Sequence, residues 1–134
     1  EVNGREFKFC AVSMGNPHCV VFLKEDVDSL DLERLGPKFE HNALFPERVN
    51  TEFVNMLPDG SLKMRVWERG SGETWACGTG ACAVGVTAVL SGLSQRGEDV
   101  LIHLRGGDLT IRYTEQGVLM TGPAETVFEG TVEV

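Results

Sequence analysis

Cys77-Gly78-Thr79-Gly80-Ala81-Cys82-Ala83-Val84-Gly85-Val86-Thr87-Ala88-Val89-Leu90 is the stretch on which the fold turns. From Ala81 to about Leu90 it has helical composition, and Thr87 is its one polar residue. A helix apolar on every side has to be buried on every side. One lying on a single face of a sheet would keep a polar stripe, so the surrounding chain must wrap this helix.

About eight short strands are available to do so. Residues 6–12 alternate with period two, and residues 19–23 form an apolar strand after the turn Gly15-Asn16-Pro17-His18. Residues 49–57 and 62–68 flank Pro58-Asp59-Gly60-Ser61, where Asp-Gly supplies the positive φ angles of a tight hairpin. With the turn centred on Asp59-Gly60, Asn50 falls opposite Arg69 and Thr51 opposite Glu68. Residues 100–105, 109–113, 118–121 and 126–134 complete the set. In residues 31–42, Leu32, Leu35 and Phe39 recur at helical spacing, but Gly36-Pro37 should break or restart the helix. The fold class expected is therefore α+β: one domain, residues 1–134, with a mixed, strongly curved, barrel-like sheet around a central apolar helix.

Composition narrows the function. Of 134 residues, 42% are hydrophobic and 24% charged, which suits a soluble globular domain, and no apolar run reaches membrane length. The net charge of −8 argues against a nucleic-acid binder, so an anionic ligand would need a local pocket. Cys10, Cys19, Cys77 and Cys82 lack CxxC spacing, and His18, His41 and His103 complete no zinc pattern. Reduced thiols in a cytoplasmic protein without metal or cofactor are expected. The chain starts at Glu1 rather than Met, which raises the expectation of a piece of a longer protein.

Cys77 sits where the helix begins. Unpaired N–H groups there lower a thiol's pKa and bind carboxylate or phosphate. Position alone leaves two readings: a reactive thiolate beside an anion cradle, or a buried cysteine at a tight turn. Cys10, Cys19 and Cys82 read as core. Gly78-Thr79-Gly80-Ala81-Cys82-Ala83 matches a relaxed dinucleotide fingerprint, but Glu98 precedes a strand instead of ending one. No Gly-Lys pair supports a phosphate loop, and nothing local fixes His18 as the base of a cysteine hydrolase. A thiol can instead carry a proton to or from a carbon next to a carboxylate, and inversion there needs a second group on the opposite face.

The segment Trp67-Glu68-Arg69-Gly70-Ser71-Gly72-Glu73-Thr74-Trp75-Ala76-Cys77-Gly78-Thr79-Gly80-Ala81-Cys82-Ala83 closely resembles the second catalytic segment of the diaminopimelate epimerases. Gly15-Asn16-Pro17-His18 and Phe45-Pro46-Glu47-Arg48-Val49-Asn50-Thr51-Glu52-Phe53-Val54 resemble two further segments of that family, in order. The resemblance implies a cofactor-independent isomerase of lysine biosynthesis that interconverts LL- and meso-diaminopimelate by two-base thiol chemistry. It implies that Cys77 is catalytic and that Gly78 and Thr79 are donors to the reacting carboxylate. Glu68 and Arg69 would contact substrate, Asn16 and Asn50 would hold its distal end, and His18, with Glu68, would tune the thiol.

The family is built as two similar halves, and its other catalytic cysteine belongs to a Cys-Gly-Asn-Gly loop that these 134 residues lack. The chain thus resembles the carboxyl-terminal half, with the first half-domain as its missing partner and no activity expected of it alone. Residues 126–134 would pair with that half. Without it they should fray or exchange between two copies, with Phe128 as anchor of a homodimer. Two other readings remain: a related isomerase, of the proline racemase or phenazine-synthesis type, and a non-catalytic ligand-binding or interaction domain.

Overall fold

The computed structural model describes residues 1–134. Eight strands, β1 (Cys10–Ser13), β2 (Pro17–Phe22), β3 (Asn50–Met56), β4 (Leu62–Glu68), β5 (Gly72–Thr74), β6 (Asp99–Leu104), β7 (Gly107–Thr114) and β8 (Gly117–Thr121), form one sheet with helices α1 (Leu32–Glu40) and α2 (Gly78–Leu90). Its order is β1-β2-β3-β4-β6-β7-β8, with β5 paired to β4 off this path. β2–β3 and β4–β6 are parallel and the other pairs antiparallel. The sheet is strongly curved, a half-barrel holding α2, as the apolar helix requires.

The two faces carry separate cores. Val20, Val54, Met64, Val66, Ile102 and Ile111 pack on Ala81, Val84 and Ala88 of α2. Cys19, Val21, Phe53 and Trp67 pack on Leu32 and Phe39 of α1. Alternation along β3 accounts for the division: Val54 points to α2 and Phe53 to α1. Glu52 shares parity with Val54, so a carboxyl enters the α2 side at no exposure.

Several expectations need correction. α1 runs unbroken from Leu32 to Glu40 with Pro37 inside it. Its packing outweighs the lost backbone bond: Gly36 lies so close to Trp67 that a Cβ there would fall 2.2 Å from the ring. The hairpin register is one residue from that expected, since Thr51 faces Trp67 and Met56 faces Leu62. Leu57 and Ser61 pair instead, so the loop is the three residues Pro58-Asp59-Gly60 with Gly60 at φ +86°. β1 starts at Cys10, four residues later than expected, and β5 occupies what reads as a glycine loop. Residues 126–134 form no strand, and everything from Thr121 onward is exposed.

Candidate functional site

The site assembles where β2, β3 and β4 pass under the first turn of α2. Cys77 is the N-cap: its Sγ accepts from Gly80 N–H at 3.4 Å, and its carbonyl accepts from Ala81. Those bonds use the third and fourth N–H groups of the turn, while the N–H groups of Gly78 and Thr79 stay free for a ligand. Thr79 is exposed and its Oγ1 lies 3.8 Å from Cys77 Sγ. Met120 of β8 packs at Gly78, and Trp75, just before the cysteine, is 73% exposed.

The β1–β2 turn brings the next groups. Ser13 pairs with Pro17 across it, which projects Asn16 toward the helix, where Nδ2 donates to Thr79 Oγ1 at 3.3 Å. Asn16 Oδ1 lies 3.0 Å from His18 Nε2, and His18 Nδ1 lies 2.6 Å from Glu52 Oε1. A continuous line of polar contacts therefore runs Glu52–His18–Asn16–Thr79–Cys77. His18 and Glu52 are completely buried.

Asn50 and Arg69 also meet, though by another route than direct strand pairing. Asn50 Oδ1 accepts from the Arg69 N–H at 2.8 Å, and its Nδ2 donates to Pro17 O at 3.0 Å. The Asn50 amide thus ties the Asn16 turn to the end of β4, and both of its ends are engaged by backbone. Arg69 Nη1 donates to Glu47 O at 3.1 Å. Glu68 is half-buried and close enough for its charge to act on Cys77 and Glu52.

Electrostatics reverses one expectation. The helix start was expected to lower the Cys77 pKa, but burial pushes it up to about 11, aided by the negative charges of Glu68 and Glu52 and opposed by the bonds from Gly80 and Thr79. Cys77 is only 7% exposed, and desolvation outweighs the two donors. It is a thiol at neutral pH. Cys19 is pushed up to about 12, mainly by burial, and Cys10 is the exposed cysteine. Burial also lifts Glu52 to about 7 against its bond to His18.

Glu52 and Gly80 escape a reading of the sequence. A Cβ on Gly80 would lie 2.7 Å from Glu52 Oε1 and 3.1 Å from Cys77 Sγ, so carboxyl and thiol flank a space that glycine alone leaves open. The signal for Glu52 was its period-two parity with Val54, which puts it on the same face as an apolar residue.

Comparison with known proteins identifies the family. Residues 10–127 match the family model described as diaminopimelate epimerase. The diaminopimelate epimerase of Acetivibrio thermocellus is 56% identical over all of this chain and 48% of its own length. That of Desulfovibrio desulfuricans is 55% identical over 97% of this chain and 45% of its own. The chain thus spans about half the length of the curated relatives it matches. Among solved structures, a phenazine biosynthesis protein of the PhzF family from Bacillus anthracis aligns with TM-score 0.54 at 25% identity, covering 85% of this chain and 38% of that one. A predicted epimerase from Pseudomonas aeruginosa shares the fold with TM-score 0.56 at 22% identity, covering 89% and 45%.

Proposed function

The chain belongs to the diaminopimelate epimerase family, and from that premise we propose that it forms one catalytic half of an epimerase acting at the α-carbon of diaminopimelate, with Cys77 the proton carrier on one face. The observation that carries this reading is the meeting, at the start of α2, of a protonated thiol with the free N–H groups of Gly78 and Thr79. The substrate's reacting carboxylate binds those N–H groups, which strengthen their hold as charge grows on its oxygens during proton removal. A thiolate on the other half takes the α-proton. Cys77 gives its own proton to the same carbon from the opposite side, and the centre inverts without a cofactor.

Glu68 and Arg69 contact the substrate, and Asn16 helps to hold its distal end. Asn50 contributes by holding the Asn16 turn against β4. The exposed Trp75 and Met120 beside Cys77 suit a face that the first half-domain covers. Residues 126–134, with Val127, Phe128 and Val132 exposed, belong with that half, or with a second copy in a homodimer when it is absent. No helix is long and apolar enough to cross a membrane. A part in lysine synthesis makes the cytoplasm the working place of the enzyme in this reading.

Joining the first half of the Acetivibrio thermocellus relative to the amino end of this chain gives the test. With LL-diaminopimelate in D2O, the fusion should epimerise the substrate and place deuterium at the α-carbon. Neither its Cys77→Ala variant nor the 134-residue chain alone should do so. Comparable turnover by the chain alone would overturn the two-thiol reading; full activity of the Cys77→Ala fusion would overturn the role of Cys77.

A further inference from the structure

We infer that Glu52 is a positioning residue, which with His18 forms a buried pair that shares one proton and sets the donor direction of the line running through Asn16 and Thr79 to Cys77. The inference rests on the reading of Cys77 as a proton carrier and adds a part to it.

The bonding pattern fixes the direction. Asn16 turns Oδ1 toward His18 Nε2, so Nε2 carries a hydrogen, and Asn16 Nδ2 donates to Thr79 Oγ1. The Thr79 hydroxyl then keeps its own hydrogen to donate onward, with Cys77 Sγ 3.8 Å away. At the other end, the 2.6 Å contact between His18 Nδ1 and Glu52 Oε1 requires one proton between the two atoms. That proton sits either on a carboxylic acid facing neutral imidazole or on imidazolium facing carboxylate. Both forms carry the same number of protons, no net charge and the same hydrogen on Nε2.

Removing that one proton reverses the line. Neutral His18 would hold its hydrogen on Nδ1 against the Glu52 carboxylate, and Nε2 would accept from Asn16. Asn16 Oδ1 would then accept from Thr79, whose hydrogen would no longer reach the thiol. Three further features suit a part that acts on the thiol. Glu52 Oε2 is buried without a hydrogen-bond partner, a cost that a purely structural carboxyl would avoid. Gly80 leaves room for the carboxyl and the thiol at one point. His18 and Cys19 on β2, Glu68 on β4 and Cys77 at α2 are the titratable groups around Glu52, and among them His18 is the one base.

The test measures modification of Cys77 by methyl methanethiosulfonate in the 134-residue chain at pH 6.5, with each cysteine followed by peptide mass mapping. Glu52→Leu takes away the contact that holds the His18 ring at its Nδ1 edge, so the ring and the Asn16 amide lose their fixed orientation, and Thr79→Val removes the hydroxyl; each should slow Cys77 about tenfold, the worth of a hydrogen bond to a charged group. The double variant should be no slower than either single one, since both break one line. Glu52→Gln, whose amide can still donate to Nδ1, should stay within about threefold of the parent. A hundredfold loss in the double variant, or faster modification in Glu52→Leu, would overturn the inference, because the carboxyl would then act separately or through charge alone. Unchanged circular dichroism is required of every variant; if Glu52→Leu does not fold, a Glu52→Gln rate tenfold below the parent decides against it. Failure of this cycle leaves the epimerase test standing, and loss of Cys77 dependence in the fusion leaves this cycle readable.

Discussion

Glu40 and Glu52 are both buried carboxyls, one on each face of the sheet, and their surroundings differ in what they satisfy. Burial pushes Glu40 up, but Trp67 Nε1 and Gly70 N–H donate to it at 2.8 Å, and with the charges of His41 and Arg48 they hold it below its ordinary value. Arg48 Nη1 adds a contact at 3.1 Å. Glu40 thereby ties the end of α1 to the loop that follows Glu68 and Arg69. Glu52 has one partner, His18, one oxygen without any, and a pKa lifted to about 7. Full satisfaction marks an anchor, whereas partial satisfaction beside a thiol marks a group kept able to exchange a proton.

The contrast is broken most severely at the anchor. Glu40→Leu strands the Trp67 and Gly70 donors, and should cost about 4 kcal/mol, roughly 2 kcal/mol for each buried donor left unsatisfied, while the half-exposed Arg48 turns to solvent. Thermal melting should show a fall of more than about 10 °C; a drop under about 3 °C would mean that Glu40 is not the anchor described. Gly36→Ala comes next on the same face. Its new Cβ meets the body of the Trp67 ring, which cannot swing aside, so overpacking of about 3 kcal/mol outweighs the gain of about 1 kcal/mol in helix propensity. A neutral melting temperature would show that α1 slides freely over Trp67.

How far this was legible in the sequence follows from the same residues. The apolar stretch through Ala81 and Val86 dictates a wrapped helix because periodicity reports burial directly. Asp59-Gly60 dictates a hairpin, but the one-residue difference between a two- and a three-residue loop lies in the bonding of Leu57 to Ser61, which composition does not carry. Asn50 reaches Arg69 all the same, since its side chain spans the shift. Cys77, Asn16 and His18 stood out through loop chemistry and resemblance. Glu52 and Glu40 did not, because a charged residue in a strand or helix reads as solvent-facing until a tertiary neighbour turns it inward. The direction of the Cys77 shift was lost for a like reason: helix starts are visible in sequence, while desolvation is a property of the packed fold.

On the α2 face the expected effects are smaller in stability and larger in chemistry. Gly80→Ala places its Cβ against the ends of two side chains that can rotate, Glu52 and Cys77, so the cost should be about 1–2 kcal/mol. The displaced thiol should lose its bond from Gly80 N–H, and mass mapping at neutral pH should show Cys77 modified about tenfold more slowly than in the parent. Unchanged Cys77 reactivity would separate the thiol from the Glu52 pocket and weaken the contrast.

The smallest effect has the opposite sign. The folded pKa of Glu52, about 7, lies above its ordinary 4.5, so between those values the folded chain holds a proton that the unfolded chain has released. Stability from this group is therefore full at low pH and falls as pH rises through that window. Glu52→Gln removes the penalty of a buried carboxylate while keeping an amide donor for His18. It should leave melting unchanged near pH 4.5 and raise stability at pH 8 by about 1 kcal/mol, the remainder after losing the charge-assisted contact. Glu40 behaves inversely, because its lowered pKa adds stability that is present above the ordinary carboxylate value and lost as pH falls through the folded one. Paired melts of Glu52→Gln and the parent from pH 4.5 to 8 should diverge steadily upward; a constant offset would show that Glu52 does not titrate in this range and would place it with Glu40 as an anchor.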